Sequence, residues 1–310
     1  MNNASFKIEC RDFGLVFKPG LNVPRVIITV QHNGLNPWVF DGLITPRDRL
    51  SAPDLRVMPI ATEIFRQNMG KVAVIYNCIP RTILDTNVEE EEAYADPRME
   101  KYFHSYHREV SAMIRAANDE YGRHRCCLLD LHGFERQPEY VPGQLYDVIL
   151  GTSNCHTIRH FDDQNQKEWE RSDETLSQQL REVGLSVFLP GYEPIRLRQW
   201  RKENGPYLMG IDLPICGPDN NRDFESFMAF EESLTQEDKQ RRDAKSPPST
   251  PDDYNGGYLI RSHFGEGVAA AIQIELSPEL REPRSRGDTE GAKKRERFIA
   301  TVSSVICSLQ

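Results

Sequence analysis

Residues 126–133 read Cys-Cys-Leu-Leu-Asp-Leu-His-Gly. The first four are apolar without alternation, the pattern of a strand covered on both faces. Asp130 and His132 follow at its carboxyl end. Standing two apart, they share one side of the strand. A second run, Val26 to Val30, is β-branched and leads into Gln31-His32-Asn33-Gly34. A third, Ala269 to Leu276 (AAAIQIEL), carries Gln273 and Glu275. Three apolar strands thus end in residues capable of chemistry.

Outward from these runs, Lys71–Asn77 (KVAVIYN), Tyr146–Leu150 and Leu185–Leu189 also read as strands. Helical spacing marks Ala52–Met69, with Leu55, Met58, Ile64 and Phe65 near one face and Pro59 either bending the helix or delaying its start. Pro97–Glu120 reads as a long helix carrying Tyr102, Tyr106, Val110, Met113 and Ile114, followed later by Glu174–Val183 and Thr289–Leu309. Strands alternating with helices predict an α/β chain: three layers, with a mostly parallel mixed sheet covered by helices on both faces. In such sheets, sites form at the carboxyl ends of the strands. The 310 residues suit a single domain, 1–310, in which the charged, Pro/Ser-rich stretch 231–254 reads as a mobile insertion, linker or lid.

The formal net charge is −9, which argues against a general nucleic-acid binder but not against an acidic small molecule held by a few local arginines. No stretch approaches the roughly 20 apolar residues of a membrane span, and Met1–Arg11 is polar and charged where a signal peptide needs an apolar run. The expectation is a cytoplasmic protein. Its seven cysteines are odd in number and contain no CxxC pair. With Cys78, Cys126, Cys127 and Cys307 in or beside core elements, they read as buried, reduced thiols.

A hydrolytic zinc takes three protein ligands, usually His with one carboxylate, and keeps a position open. His32 and His132 can supply two from neighbouring strands, with Asp130 holding an imidazole from behind. Glu275, a carboxylate in an apolar strand, suits a general base. Arg81, Asp85 and Asn87 follow the Lys71 strand, and Asp147 lies in the Tyr146 strand, which runs into Gly151-Thr152. Each has a plainer reading: a satisfied polar histidine, a solvent-facing Glu275 on an edge strand, a surface ion pair for Arg81, a turn or loop cap for Asn87.

The order of these pieces resembles the N-formylglutamate amidohydrolase family, which shares the fold of zinc carboxypeptidases and aspartoacylase. The resemblance runs from about Val26 to Glu275. It is carried by His32-Asn33-Gly34, Asp54, Arg81–Asn87 (RTILDTN), Tyr106-His107, Asp130–Gly133 (DLHG), Asp147–Thr152 (DVILGT), Asn255–Arg261 (NGGYLIR) and Gln273–Leu276 (QIEL). NGGYLIR and IQIEL, close together and in order, are the most specific. The resemblance implies Zn2+ held by His32, Asp54 and His132. It implies Glu275 as the base that activates water and later protonates the leaving amine. Arg81 would polarise the carbonyl or stabilise the oxyanion, a role worth on the order of 3 kcal/mol. Asn87 and Arg261 would grip a substrate carboxylate, and Gly256 and Gly257 would let backbone approach the ligand. The implied substrate is an N-acylated, formyl-like amino acid or related small acidic amide. The chain departs from the family at Gln31 (for proline), Val88 (for arginine), Gly133 (for serine) and Arg281 (near a tyrosine). Arg196, Arg198 and Arg201 form a basic stretch that compensates for the missing clamp or lines a solvated face. Two rival readings stand beside this one: a non-catalytic relative that binds a small acidic ligand or protein partner, and a carboxypeptidase-like peptide hydrolase with a cleft extended by 231–254.

Overall fold

The computed structural model describes residues 5–34, 54, 56–134, 145–152, 157, 174–188, 256–282 and 289–308. In chain order the elements are β1 (Phe6–Arg11), β2 (Gly14–Pro19), β3 (Val26–Val30), α1 (Val57–Gln67), β4 (Val72–Asn77), α2 (Glu90–Ala93), α3 (Glu100–Tyr121), β5 (Cys127–Gly133), β6 (Val148–Gly151), α4 (Gln179–Glu182), β7 (Val187–Phe188), α5 (Tyr258–Phe264), β8 (Ala270–Leu276), α6 (Pro278–Arg281) and α7 (Thr289–Ser308). The strands form one mixed sheet in the order β1-β2-β4-β3-β5-β8-β6-β7. Its centre, β4-β3-β5-β8, is parallel. Antiparallel pairings join β1 to β2, β2 to β4 and β6 to β8, so the sheet is less uniformly parallel than the apolar runs suggested.

Period two sorts the side chains into two cores. Val26, Ile28, Val30, Val72, Val74, Leu129 and Leu131 pack with Ile60 and Ile64 of α1 and Phe298 and Val302 of α7. On the other face Ile27, Ala73, Ile75, Leu128 and Ala271 pack with Tyr106, Val110 and Ile114 of α3 and Leu259 of α5. Helices therefore cover both sides of the sheet, as expected. Along that second face the residue types change toward the carboxyl ends. Ile27 gives way to Thr29 and Gln31, Leu128 to Asp130 and His132, and Ala271 to Gln273 and Glu275, all of them buried. Burying this many polar groups is costly unless they satisfy one another, so the switch marks the site.

Several boundaries differ from the sequence reading. Helix α1 begins at Val57 rather than Ala52, because Arg56 takes a left-handed conformation (φ 65) and Pro59 falls in the first turn, where its missing N–H is no loss. Gly256 and Gly257, read from sequence only as a motif, lead directly into α5. Cys126 and Cys127 are buried, but Cys78 and Cys307 are exposed. The stretches 195–201 and 231–254 lie outside the described residues. Among the described residues no helix is long and apolar enough to cross a membrane.

Candidate metal centre

His132 lies at the carboxyl end of β5, one residue before its last, opposite Glu275 in the β5–β8 register. His32 stands two residues beyond β3, the strand on the other side of β5. Asp54 precedes α1 and is fastened to the end of β3 by its backbone, Asp54 N donating to His32 O at 2.8 Å. Three segments far apart in sequence thus meet at the carboxyl ends of the parallel strands.

Three atoms converge there. His132 Nδ1 lies 2.8 Å from Asp54 Oδ2, His32 Nδ1 lies 3.1 Å from the same oxygen, and the two Nδ1 atoms are 3.1 Å apart. Ligand atoms around a tetrahedral zinc with bonds of about 2.0–2.1 Å sit roughly 3.3 Å apart, so the triangle is of the right size. The far side of each ring fixes its chemistry. His32 Nε2 is 2.8 Å from Asp85 Oδ1, and His132 Nε2 is 2.8 Å from Asp130 Oδ2. A carboxylate there takes an Nε2–H, which leaves both Nδ1 lone pairs pointing at each other and at Asp54. Three acceptors aimed at one point repel unless a cation or a proton lies between them. Among the described residues this is the buried His/Asp group with metal-ligand spacing; a second cluster, Glu90, Glu100 and His104, is more exposed.

The electrostatics agree. Burial opposes charge on His132, but Asp130 and Asp54 outweigh it and raise its pKa well above the usual histidine value. Burial likewise pushes Asp54 up, yet His32 and His132 hold its carboxyl far below the ordinary range. Asp85 is held low in the same way by His32 and Arg81. Four buried carboxylates, Asp54, Asp85, Asp130 and Glu275, surround the centre. Arg81 answers part of that charge, with Nε 3.0 Å from Asp85 and Nη1 4.0 Å from Asp54. The cluster is built to hold positive charge.

Asp130 is itself braced. Thr29 Oγ1 donates to its Oδ1 at 2.7 Å, and Gln31 Nε2 to its Oδ2 at 2.6 Å, while Thr86 Oγ1 donates to Gln31 Oε1 at 2.7 Å. Gln31 therefore ties the brace behind His132 to the segment carrying Asp85 and Asn87. Gln31→Leu should keep all three candidate ligands yet weaken zinc binding about 10–100-fold, as loss of a partner behind a ligand typically does. Competition against a chromophoric chelator measures this, and unchanged affinity would make the strut irrelevant.

Glu275 Oε1 accepts from Gln273 Nε2 at 2.6 Å, and Gln273 Oε1 in turn accepts from Gly257 N. The NGGYLIR segment thereby orients the strand carboxylate. Asn87 is engaged too: its Oδ1 accepts from Leu259 N at 3.1 Å, and its Nδ2 lies 3.4 Å from His132 Nε2. A Cβ at Gly257 would fall 2.2 Å from that amide, so any larger residue there would displace Asn87. Arg261 is exposed and donates from Nη1 to Gly256 O at 2.7 Å. Val88 packs against the second core, where an arginine would reach for charge.

No family model matches the chain, and no curated protein does. Solved structures do match. The crystal structure of N-formylglutamate amidohydrolase from Ralstonia eutropha JMP134 superposes with a TM-score of 0.55 at 14% identity, covering 99% of this chain and 98% of that one. The chain shares the fold of that amidohydrolase. A gene product from Agrobacterium tumefaciens aligns over 99% of this chain and 94% of its own at 12% identity, with a TM-score of 0.48.

Sequence reasoning placed His32, Asp54, His132, Glu275 and Arg81, and these do come together. It gave no role to Asp85 and missed the half-buried chain behind the Tyr106-His107 pair. There His107 Nδ1 lies 2.9 Å from His263 Nε2, and His263 Nδ1 lies 2.9 Å from Glu266 Oε1. Burial, together with His263, holds the His107 pKa down to about 3. A neutral His107 with its proton on Nδ1 donates to His263, which donates in turn to Glu266, while His107 Nε2 is buried without a hydrogen-bond partner. No sequence motif announced it, because its members lie 156 residues apart.

Proposed function

We propose that the chain is a metal-dependent hydrolase, with zinc the cation its donor set suits, cleaving the amide bond of an N-acylated, formyl-like amino acid or a related small acidic amide. The observation that carries this reading is the convergence of two imidazole lone pairs and a carboxylate oxygen beside the buried carboxyl of Glu275. The shared fold of an N-formylglutamate amidohydrolase supports the hydrolase class. His32, Asp54 and His132 would hold the cation. When bound, it supplies Lewis acidity, polarising a carbonyl and acidifying water.

The chain's own residues would do the rest. Glu275 takes a proton from the attacking water and passes it to the leaving nitrogen. Arg81, aligned by Asp85, steadies negative charge on the carbonyl oxygen. The Nδ2 of Asn87 and the guanidinium of Arg261 meet the substrate carboxylate, with Gly256 and Gly257 letting it lie against backbone. The setting is the cytoplasm, where free thiols stay reduced.

Elemental analysis of purified wild type and His132→Ala tests the core of this reading. The expected result is about one zinc per chain in the wild type, as a site of this kind requires, and loss of zinc in the variant. A wild type that takes up no metal even from added zinc would end the hydrolase proposal.

A further inference from the structure

The β1–β2 hairpin lies at one end of the sheet, and among the described residues the outer edge of β1 borders no strand. Four large hydrophobic side chains are exposed among the described residues, and three belong to this corner: Phe6 (47%), Ile8 (53%) and Leu21 (92%). An unpaired edge that also presents apolar side chains is a template for another strand. We propose that β1 pairs antiparallel with β1 of a second copy of this chain, continuing the sheet through a two-fold axis with Ile8 opposite Ile8.

The backbone limits the possible registers. Arg11 pairs with Gly14 across a two-residue loop, and the closing pair of such a hairpin exchanges both hydrogen bonds. Alternation then turns the backbone groups of Arg11, Glu9 and Lys7 inward to β2. Those of Cys10, Ile8 and Phe6 face outward. A new strand must therefore set outward residues against outward residues. Side-chain parity demands the same thing, because Phe6 packs edge-on against Phe65 of α1, and a one-residue slip would move the apolar set to the opposite face.

Charge and overlap together select one register from those that remain: Cys10 opposite Cys10 would also set Glu9 against Arg11, but it overlaps only the Glu9–Arg11 end of the strand. With Ile8 opposite Ile8, Lys7 faces Glu9 of the other copy, and symmetry makes that contact twice, while Phe6 faces Cys10. Shifting one way opposes Glu9 to Glu9 and Lys7 to Arg11. Shifting the other way opposes Lys7 to Lys7. Like charges directly opposite are unfavourable. A strand whose charge order complements its own reversal fits a two-fold interface, in which one patch meets itself. A six-residue strand buries less than the roughly 1,600 Å² of a standard interface, so the dimer is concentration-dependent.

Cross-linking of the full chain tests the register. Paired Cα atoms that exchange both bonds lie about 5.5 Å apart, within disulfide reach. Ile8→Cys should form a disulfide dimer under mild oxidation well above the wild-type background of the chain's own cysteines. Lys7→Cys should not, because its opposite is Glu9. In sedimentation velocity the wild type should move from monomer to dimer as concentration rises. Ile8→Lys should stay monomeric, and Lys7→Glu should raise the dimer dissociation constant at least tenfold. A wild type monomeric at all concentrations overturns the interface. Cross-linking by Lys7→Cys equal to that of Ile8→Cys overturns the register. Neither result depends on whether the chain binds zinc.

Discussion

Glu275→Gln is expected to lower kcat by about 10²–10⁴-fold, the usual contribution of a positioned general base, while zinc content stays at the wild-type level. Three features set that expectation. Glu275 pairs in register with His132, so its carboxyl stands beside the candidate ligands without being one of them. It is 6% exposed, and burial raises its pKa. His132 pulls that value back, Asp54 adds to it, and Gln273 and Arg81 oppose the rise. A carboxylate whose pKa is raised by burial is a stronger base than one in water, yet it still gives up its proton to a leaving amine. Gln273 holds only Oε1 at hydrogen-bond distance, and a glutamine at 275 can keep that bond through its own carbonyl oxygen. The substitution therefore removes the proton acceptor and little else. Zinc analysis beside turnover of an N-acyl amino acid panel separates this from His132→Ala, which should lose metal and activity together. Full turnover by Glu275→Gln would exclude the residue as base.

The fold and site were legible to different depths, for physical reasons. The central strands could be read because burial on both faces demands uninterrupted apolar runs, as in Val26–Val30 and Val72–Asn77. The β1–β2 hairpin could not. Phe6, Ile8 and Cys10 alternate with Lys7, Glu9 and Arg11 on a strand exposed on both faces, and that composition also suits a polar terminus. The ends of β5 and β8 disclosed His132, Asp130 and Glu275 because a two-residue spacing puts them on one face. Asp54 was reached only through the family resemblance, since a lone aspartate before a helix carries no pattern of its own. The strut from Thr86 through Gln31 to Asp130 and the His107–His263 pair depend on contacts between distant segments, which no local spacing encodes.

Gly133 and Arg281 mark two departures from the resembled family, and the structure joins them. Arg281 in α6 is 1% exposed, donating from Nε to Leu276 O at 3.1 Å and from Nη2 to Phe134 O at 3.0 Å. It straps together the ends of β5 and β8, the strands that carry His132 and Glu275. A Cβ at Gly133 would fall 2.3 Å from Arg281 Nε and 2.6 Å from its Cδ. Those atoms lie mid-chain and are held by hydrogen bonds, so the side chain cannot simply swing away. Gly133→Ser should therefore cost about 2–4 kcal/mol, from overpacking plus weakened bonds to two carbonyls. For a chain of this size that is a fall of roughly 3–6 °C in Tm. Arg281→Met should also destabilise, by leaving Phe134 O without that donor. The double variant should lose less than the sum, with a coupling of about 1–3 kcal/mol, because methionine vacates the space that the serine needs. Denaturant unfolding of the four proteins measures the cycle. Strict additivity would mean that Gly133 is not glycine on account of Arg281. Coupling would mean that the two positions depend on each other, with the strands under His132 and Glu275 fastened by a guanidinium. In that case Gly133→Ser alone should also weaken zinc binding, although it touches no ligand.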